Sequence, residues 1–296
     1  MPLIQYEQWS PRAATLDTIE RANQIIAAYQ EQGFDLTVRQ LYYQFVARDW
    51  IENSERSYKN MVKVIDRGRK AGLIDWEAIV DRTRNLRANP HWDHAAEIIR
   101  SAANQFRFDL WADQSYQVEV WIEKDALIGV IEDICRQWDV PFFACRGYNS
   151  QSEQWRAGRR FREAERAGKV PVVLHLGDHD PSGLDMTDDN ESRLRVFAET
   201  DVAVQRIALN RNQIDRFNPP PNPAKMEDSR AKDYVRLHGG ESWELDALEP
   251  QVIVDLIDSA ISQIVDIKKW EARLAEQQTA RGELREIAQR YEEGEL

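Results

Sequence analysis

Cysteine, long apolar runs and nucleotide-binding glycine loops are scarce or absent in this sequence. The two cysteines, Cys135 and Cys145, are too few for a disulfide framework or a zinc cluster, and we expect both to be buried free thiols. No apolar run approaches the roughly 18 residues of a membrane span. The pattern G-x-x-x-x-G-K-[ST] does not occur, so the sequence offers no P-loop for ATP hydrolysis.

The first twelve residues, MPLIQYEQWSPR, do not have the basic and then apolar layout of a secretory signal. We therefore expect a cytoplasmic protein without a membrane partner. Its composition, with 42% hydrophobic and 30% charged residues, is that of an ordinary soluble protein. A length of 296 residues favours two domains, each with a core of its own.

Charge is distributed unevenly along the chain. The net charge of −12 argues against indiscriminate coating of nucleic acid, because contacts to phosphates dominate that affinity. Residues 55–87 are nevertheless positive, with nine Lys and Arg against five Asp and Glu, and the chain from Glu241 onward is acidic. This asymmetry indicates one face for nucleic acid and others for solvent or partners, so we expect association with the nucleoid.

The N-terminal third has the pattern of a winged helix-turn-helix. Helical spacing predicts helices over 11–32, over 37–49 with a capping box from Thr37 to Gln40, and over about 55–70, followed by a short strand or wing at 72–76. The third of these would be a recognition helix that lies in the major groove of DNA. Its basic face carries Arg56, Lys59, Lys63, Arg67 and Lys70. The alternative is a helical bundle whose basic face is simply solvated.

The middle of the chain alternates strands and helices. Predicted strands at 117–122, 141–145 and 171–176 are separated by predicted helices, and a further strand follows at 202–207. Such alternation is typical of a parallel sheet with right-handed crossovers. The predicted fold class is therefore α/β.

Three segments follow from these patterns. Residues 1–106 would form a mostly helical, winged-helix DNA-binding domain, and residues 117–248 a Rossmann-like domain built on the parallel sheet. Residues 249–296 would form a C-terminal helical segment, whose long helix suits packing or dimerisation.

Acidic residues follow two of the predicted buried strands. Glu123 and Lys124 come directly after one strand, and Asp178 and Asp180 follow another. Open α/β sheets bind ligands at the carboxyl ends of their strands. Because grouped carboxylates repel one another unless a hard cation holds them, Glu123, Asp178 and Asp180 predict a Mg²⁺ site, with Mn²⁺ as a substitute. The alternatives are a turn that uses Asp for its own hydrogen bonds, and, less well matched, a haloacid-dehalogenase-type phosphatase.

The strand-end Glu123 and the sequence D-H-D-P-S-G-L (178–184) resemble a Toprim domain, the metal-binding module of topoisomerases, primases and some nucleases. With R-G-Y (146–148), they are most similar to the A subunit of topoisomerase VI and its meiotic double-strand-break relatives, as a minimal form. The resemblance covers residues 115–210 and a shorter N-terminal stretch. The phrase E-L-D-A-L (244–248) is similar to the junction that follows the family's Toprim core. Glu244 or Asp246 would there approach the metals or cap the next helix.

V-R-Q-L-Y-Y (38–43) resembles the motif of that family in which the second tyrosine joins a DNA 5′ end. By position, the resemblance implies that Tyr43 is the nucleophile, with Arg39 one helical turn earlier and Lys124 assisting. A phenol whose ordinary pKa is about 10 needs such a cation and a metal in order to attack phosphate. Gln40 departs from the family, which usually has an acid there. Alternatively, both tyrosines are core residues with satisfied hydroxyls, and for Tyr42 this is the reading we favour.

The resemblance implies cleavage of double-stranded DNA by tyrosine transesterification, as in a type IIB topoisomerase A subunit. In that family the tyrosine of one subunit meets the metal site of the other, which implies a homodimer. Strand passage would also need a separate ATPase subunit. Two alternatives stay open: a metal-dependent nuclease without a covalent intermediate, and a DNA-binding protein whose Toprim site is vestigial.

Overall fold

A computed structural model describes residues 3–80, 89, 91–145, 149–223 and 230–295. Within these ranges the chain forms eleven α-helices and a four-stranded parallel sheet, which confirms the predicted α/β class and is consistent with a Rossmann-like core. None of the described helices is long and apolar enough to cross a membrane. Cys135 and Cys145 are both free and buried, as predicted.

The N-terminal helices are α1 (Ala13–Glu31), α2 (Val38–Ala47) and α3 (Glu55–Lys70). The helices α2 and α3 begin at side-chain caps, provided by Thr37 and Ser54. The capping box that opens α2 is confirmed, because Gln40 N donates to Thr37 Oγ1 (3.2 Å) while Thr37 N donates to Gln40 Oε1 (2.9 Å). The three helices bury a shared apolar core that includes Ile19, Ile26, Leu41, Phe45 and Ile65.

The short strand predicted at 72–76, as the alternative to a wing, is absent, because these residues form turns and bends. Gly72 has a φ of +69°, which turns the chain directly after α3. Isolated bridges lie on either side of the turn, from Ala71 to Gln5 and from Ile79 to Leu36. Ile74 is fully buried under α3. A winged-helix domain therefore stays a prediction.

The sheet consists of β1 (Tyr116–Ile122), β2 (Phe142–Ala144), β3 (Val170–Leu176) and β4 (Ala203–Ala208) in the order β2-β1-β3-β4. All neighbouring strands are parallel. The crossover helices are α5 (Ile128–Gln137), α6 (Gln151–Arg166) and α7 (Pro181–Ala198). Four strands thus occur close to the predicted positions.

Both faces of the sheet are covered, since alternate strand residues point to opposite sides. Val120 and Leu174 belong to the larger core cluster, to which α5 and α10 (Pro250–Ser262) also contribute. Trp121 and Val173 point to the other face, where residues of α6 and α7 cover them. This two-sided burial explains the nearly continuous apolar runs of β1 and β3.

The remaining elements lie around this core. They are α4 (Ala95–Gln105), α8 (Arg211–Phe217), β5 (Asn222–Pro223), α9 (Ala231–His238), β6 (Glu241–Ser242) and the 26-residue α11 (Ile267–Glu292). The predicted long C-terminal helix is therefore present as α11. The helix α4, which the sequence assigns to the first domain, packs along α11, and Arg281 Nε donates to Phe106 O (2.7 Å) just after α4.

Candidate functional site

The loop between β3 and α7 holds Asp178 and Asp180 at the carboxyl edge of the sheet. Asp180 is the N-cap of α7, and its Oδ1 accepts hydrogen bonds from Gly183 N (2.6 Å) and Ser182 Oγ (2.9 Å). Gly183 is the residue that permits this tight loop, since a Cβ there would lie 2.2 Å from Asp178 O. The sequence D-H-D-P-S-G therefore encodes one particular backbone path.

Glu123 lies beside this loop on the neighbouring strand end, as predicted. Its backbone N–H donates to Leu176 O (2.8 Å), and its Oε2 accepts from Asp178 N (2.8 Å). Burial raises the pKa of Glu123. Burial likewise raises the pKa of Asp178 to about 7, in spite of the neighbouring Lys124 cation. Two strand-end carboxyl groups are thus held side by side in a poorly solvated setting.

The donor set suits a hard divalent cation, because it consists of carboxylate oxygens. Among the residues that the structure describes, however, no three His, Cys, Asp or Glu side chains already surround a common point as metal ligands. Side chains of Glu123, Asp178 and Asp180 would have to turn toward one another to hold Mg²⁺. The predicted ligands are adjacent, while their grouping around an ion stays a prediction.

Lys124 connects the loop to a second pair of carboxylates. Its Nζ lies 3.1 Å from Asp178 Oδ2, 2.9 Å from Glu244 Oε2 and 2.9 Å from Asp246 Oδ1. Burial alone disfavours the ammonium, but these three carboxylates outweigh it and raise the pKa of Lys124. Glu244 is also partly buried, yet Lys124 and Arg39 lower its pKa to about 2. The residues of the E-L-D-A-L phrase therefore reach the site.

The helix α2 brings Arg39 and Tyr43 to the same cluster within one chain. Arg39 forms ion pairs with Glu244 and, at 2.9 Å, with Asp246. Tyr43 is 3% exposed, and it lines a cavity together with Asn222. Burial, followed by the charges of Asp246 and Glu244, raises the pKa of Tyr43. Ionisation of this phenol is therefore harder here than in water.

Tyr42 has the satisfied hydroxyl expected of a core tyrosine. Its oxygen accepts from Ser54 N (2.8 Å), and its O–H lies 3.0 Å from Asn53 Oδ1. The ring is buried and makes edge contacts with the rings of Tyr43 and Tyr58, each at a centroid distance of 5.3 Å. Of the two adjacent tyrosines, Tyr43 is the one that faces the acidic cluster.

Arg206 of β4 was missed by the sequence reasoning. Its guanidinium donates to the carbonyls of Gly177 (2.9 Å) and Gly183 (2.8 Å) and also to that of Asp178. Burial lowers its pKa to about 10, although Glu123 and the loop aspartates favour the cation. Arg206 thus holds the backbone of the loop in place through its carbonyl groups. The sequence signals this role only by placing an arginine in the apolar strand β4, directly before its buried residues Ile207 and Ala208.

His179, between the two aspartates, was also missed. Its Nδ1 lies 2.9 Å from Tyr234 Oη, and its backbone N–H donates to Trp243 O (2.8 Å). Burial, followed by the nearby His238, lowers the pKa of His179 to about 4. The neutral imidazole therefore connects the loop to α9, and the backbone of His179 connects it to Trp243, directly after β6. Nothing local in the sequence indicates this packing.

The predicted DNA-binding residues lie on the outer face of α3. Arg56, Lys59, Lys63 and Arg67 are exposed, and Lys70 is partly exposed. Some of their charge is already paired, since Lys59 contacts Glu55 (2.7 Å) and Lys70 contacts Asp66 (3.0 Å). The R-G-Y sequence at 146–148 and the bases Arg82, Arg84 and Arg87 lie outside the described residues.

No protein-family model matches the chain, and no curated protein matches it either.

Proposed function

We propose that this protein cleaves DNA at the carboxyl edge of its sheet, with Mg²⁺ or Mn²⁺ held by Glu123, Asp178 and Asp180. The observation that carries the proposal is the pairing of Glu123 with Asp178 at adjacent strand ends, next to the cations Lys124 and Arg39. Such a mixture of carboxylates and cations suits phosphate chemistry, because it supplies both metal ligands and donors for phosphate oxygens.

Each residue then has a distinct part. The carboxylates hold the metal, which, when bound, supplies stabilisation of the negative charge that develops on the phosphate. Arg39 releases Glu244 and Asp246 and turns its guanidinium to phosphate oxygens, for which its planar fork is well suited. The basic face of α3 binds the backbone of the duplex and provides most of the affinity.

In the leading mechanism, Tyr43 attacks the phosphorus atom. A bond forms between the phenolic oxygen and phosphorus, the bond to the 3′ oxygen breaks, and the phenolic proton is transferred so that a 3′ hydroxyl leaves. The product is a 5′-phosphotyrosyl DNA end, and Arg39 is the cation that favours loss of the proton. The support for this mechanism is that Tyr43 and Arg39 lie on one helix beside the acidic cluster.

Hydrolysis is the second candidate, and a specific observation favours it. Tyr43 is almost fully buried and its pKa is raised, both of which disfavour a phenolate nucleophile. Water would attack in its place, leaving free DNA ends, and the carboxylates and Lys124 would keep the same roles.

The partners proposed for either mechanism are double-stranded DNA and a second copy of the chain. Topoisomerase action would add a separate ATPase subunit, and the setting would be the nucleoid in the cytoplasm.

One experiment separates the two mechanisms. End-labelled DNA is incubated with protein and Mg²⁺ or Mn²⁺, the reaction is stopped with detergent, and half is treated with protease before electrophoresis. The tyrosine mechanism predicts label bound to protein, lost in Tyr43→Phe and kept in Tyr291→Phe, which changes a 45% exposed tyrosine on α11. Hydrolysis predicts free ends and an active Tyr43→Phe variant. DNA that is bound but never cut would point to the vestigial site.

A further inference from the structure

We infer that the cavity between α2, α3 and β5 binds one unpaired nucleotide of the DNA substrate. The substrate class would then be DNA that is single-stranded or locally opened at the cleavage position. The inference rests on the proposed function for the identity of the nucleic acid, and goes beyond it in assigning a pocket and a substrate conformation.

The cavity has an aromatic wall. It has a volume of about 490 Å³ and is lined by Tyr42, Tyr43 and Tyr58 among others. Because Tyr42 makes edge contacts with both other rings, the wall is already ordered before a ligand arrives. This size lies within the range of small-molecule pockets, about 300–1,000 Å³. A base that is still paired and stacked cannot enter such a space, whereas an extruded one can.

Two carboxamides also line the cavity. Asn53 Nδ2 donates to Asn222 Oδ1 (2.6 Å) and to Pro221 O (2.9 Å), and both asparagines line the cavity. An amide group carries donors and acceptors like those on the edge of a base, so it can exchange its partner for a base. The pocket thus combines stacking surfaces with groups that read base edges, which is the combination found where enzymes hold extruded bases.

The cavity also opens onto the charges that a phosphate needs. Arg39 and Glu244 line it, and Glu244 is bound to Lys124, which is bound to Asp178. A nucleotide whose base enters the cavity therefore has its phosphate beside the proposed catalytic edge. The first residue of α3, Glu55, also lines the cavity, and Arg56, the first cation of the basic face, follows it in the chain. These continuities favour a nucleic-acid strand over an isolated metabolite.

The test uses a short oligothymidylate with one 5-iododeoxyuridine, in EDTA so that no cleavage can occur. Long-wavelength irradiation joins this base to an aromatic ring that stacks on it, and peptide mass spectrometry then identifies the residue. We expect the adduct on Tyr58, which is more exposed than the buried Tyr42 and Tyr43. Bound oligonucleotide that forms adducts only outside the cavity, or forms none, would overturn the inference.

Affinity provides the second readout. Base stacking on an aromatic ring contributes enough that Tyr58→Ala should weaken oligothymidylate binding by about 5- to 150-fold. Tyr58→Phe keeps the ring and should retain binding, as should Tyr291→Ala at a remote, half-exposed position. Binding of a fully paired blunt duplex should change by less than about threefold in Tyr58→Ala, since α3 contacts the backbone independently of the pocket. An equal loss for both DNAs, or no loss for either, would contradict the pocket.

These experiments distinguish a failure of the pocket inference from a failure of the proposed DNA cleavage. A missing crosslink together with Mg²⁺-dependent cutting by the unmodified protein would remove only the pocket. A crosslink in the cavity without any cutting would leave a nucleotide-binding pocket in a protein that does not cleave. Thermal unfolding of Tyr58→Ala, compared with Tyr58→Phe, shows whether a loss of affinity comes from the missing ring or from a damaged fold.

Discussion

Asp178→Asn should stabilise the metal-free protein at alkaline pH while abolishing its response to Mg²⁺. Asp178 is 6% exposed, and burial raises the pKa of its carboxyl group from the ordinary 3.8 to about 7. Asparagine has nearly the same shape and keeps an oxygen that can accept from Leu245 N, as Asp178 Oδ1 does at 2.7 Å. Lys124 keeps its contacts with Glu244 and Asp246. The substitution therefore removes a poorly solvated charge without leaving the lysine unpaired.

The sign of the pH dependence follows from the raised pKa. Below the unfolded-state pKa of 3.8 the carboxyl is protonated in both states, and its ionisation then costs the folded protein stability as the pH rises toward 7. Each pKa unit corresponds to about 1.4 kcal/mol, and loss of one Lys124 contact offsets part of the gain, so we expect the variant to gain about 1 to 4 kcal/mol at about pH 8. This gain in the free energy of unfolding of Asp178→Asn over the unmodified protein should vanish toward about pH 4.

Urea unfolding in EDTA at a series of pH values measures this difference. Asp201→Asn is the control, since its side chain is 90% exposed and the change should be within about 0.5 kcal/mol. Adding Mg²⁺ at about a hundred times its Kd should stabilise the unmodified protein by about 2.7 kcal/mol and leave Asp178→Asn unchanged. A variant that is less stable than the unmodified protein at alkaline pH in EDTA would refute the reasoning, because Asp178 would then be a net stabilising partner of Lys124.

Three further changes test the loop and the basic helix. Gly183→Ala should lower the free energy of unfolding by about 1–3 kcal/mol, because its Cβ would lie 2.2 Å from a carbonyl oxygen, whereas Gly240→Ala meets nothing within 4 Å and should be nearly neutral. Arg206→Met should lower it by at least about 2 kcal/mol in urea unfolding, because several buried carbonyls lose their donor. Lys63→Ala should weaken duplex binding and reduce the salt slope by about one, measured by fluorescence anisotropy, while Lys268→Ala on α11 should change neither.

A contrary result is defined for each of the three substitutions. Equal stabilities of the two alanine variants would mean that the loop can move away from the added Cβ. An Arg206→Met protein as stable as the unmodified one would mean that the loop carbonyls find other donors. An unchanged salt slope in Lys63→Ala would mean that the outer face of α3 is solvated and does not bind phosphates.

The sequence was informative wherever structure depends on neighbours along the chain. The apolar runs of β1 and β3 predicted two-sided burial in a parallel sheet, and the strand-end positions of Glu123 and Asp178 predicted their proximity. The capping box of α2 is equally local, because Thr37 and Gln40 are three residues apart. Periodicity and turn chemistry act over short distances, so a single sequence contains these signals.

Contacts between distant segments were beyond the reach of such patterns. Lys124 lies 120 residues from Glu244, and His179 lies 55 residues from Tyr234, yet both pairs help to build the site. No local pattern states which loop meets which, since those contacts depend on the closed tertiary fold. The turn after α3 is a further example, because Ala71 and Ile79 on either side of it form bridges with the distant residues Gln5 and Leu36.

Metal-dependent cleavage at the strand-end carboxylates is tested most directly with supercoiled plasmid. The unmodified protein and Asp178→Asn are incubated with plasmid and Mg²⁺ or Mn²⁺, at concentrations where anisotropy shows equal DNA binding by both. We expect nicked or linear DNA with the unmodified protein, no such products in EDTA, and no such products with Asp178→Asn. Equal cutting by the two proteins, or no cutting by either with saturating DNA and metal, would contradict this expectation.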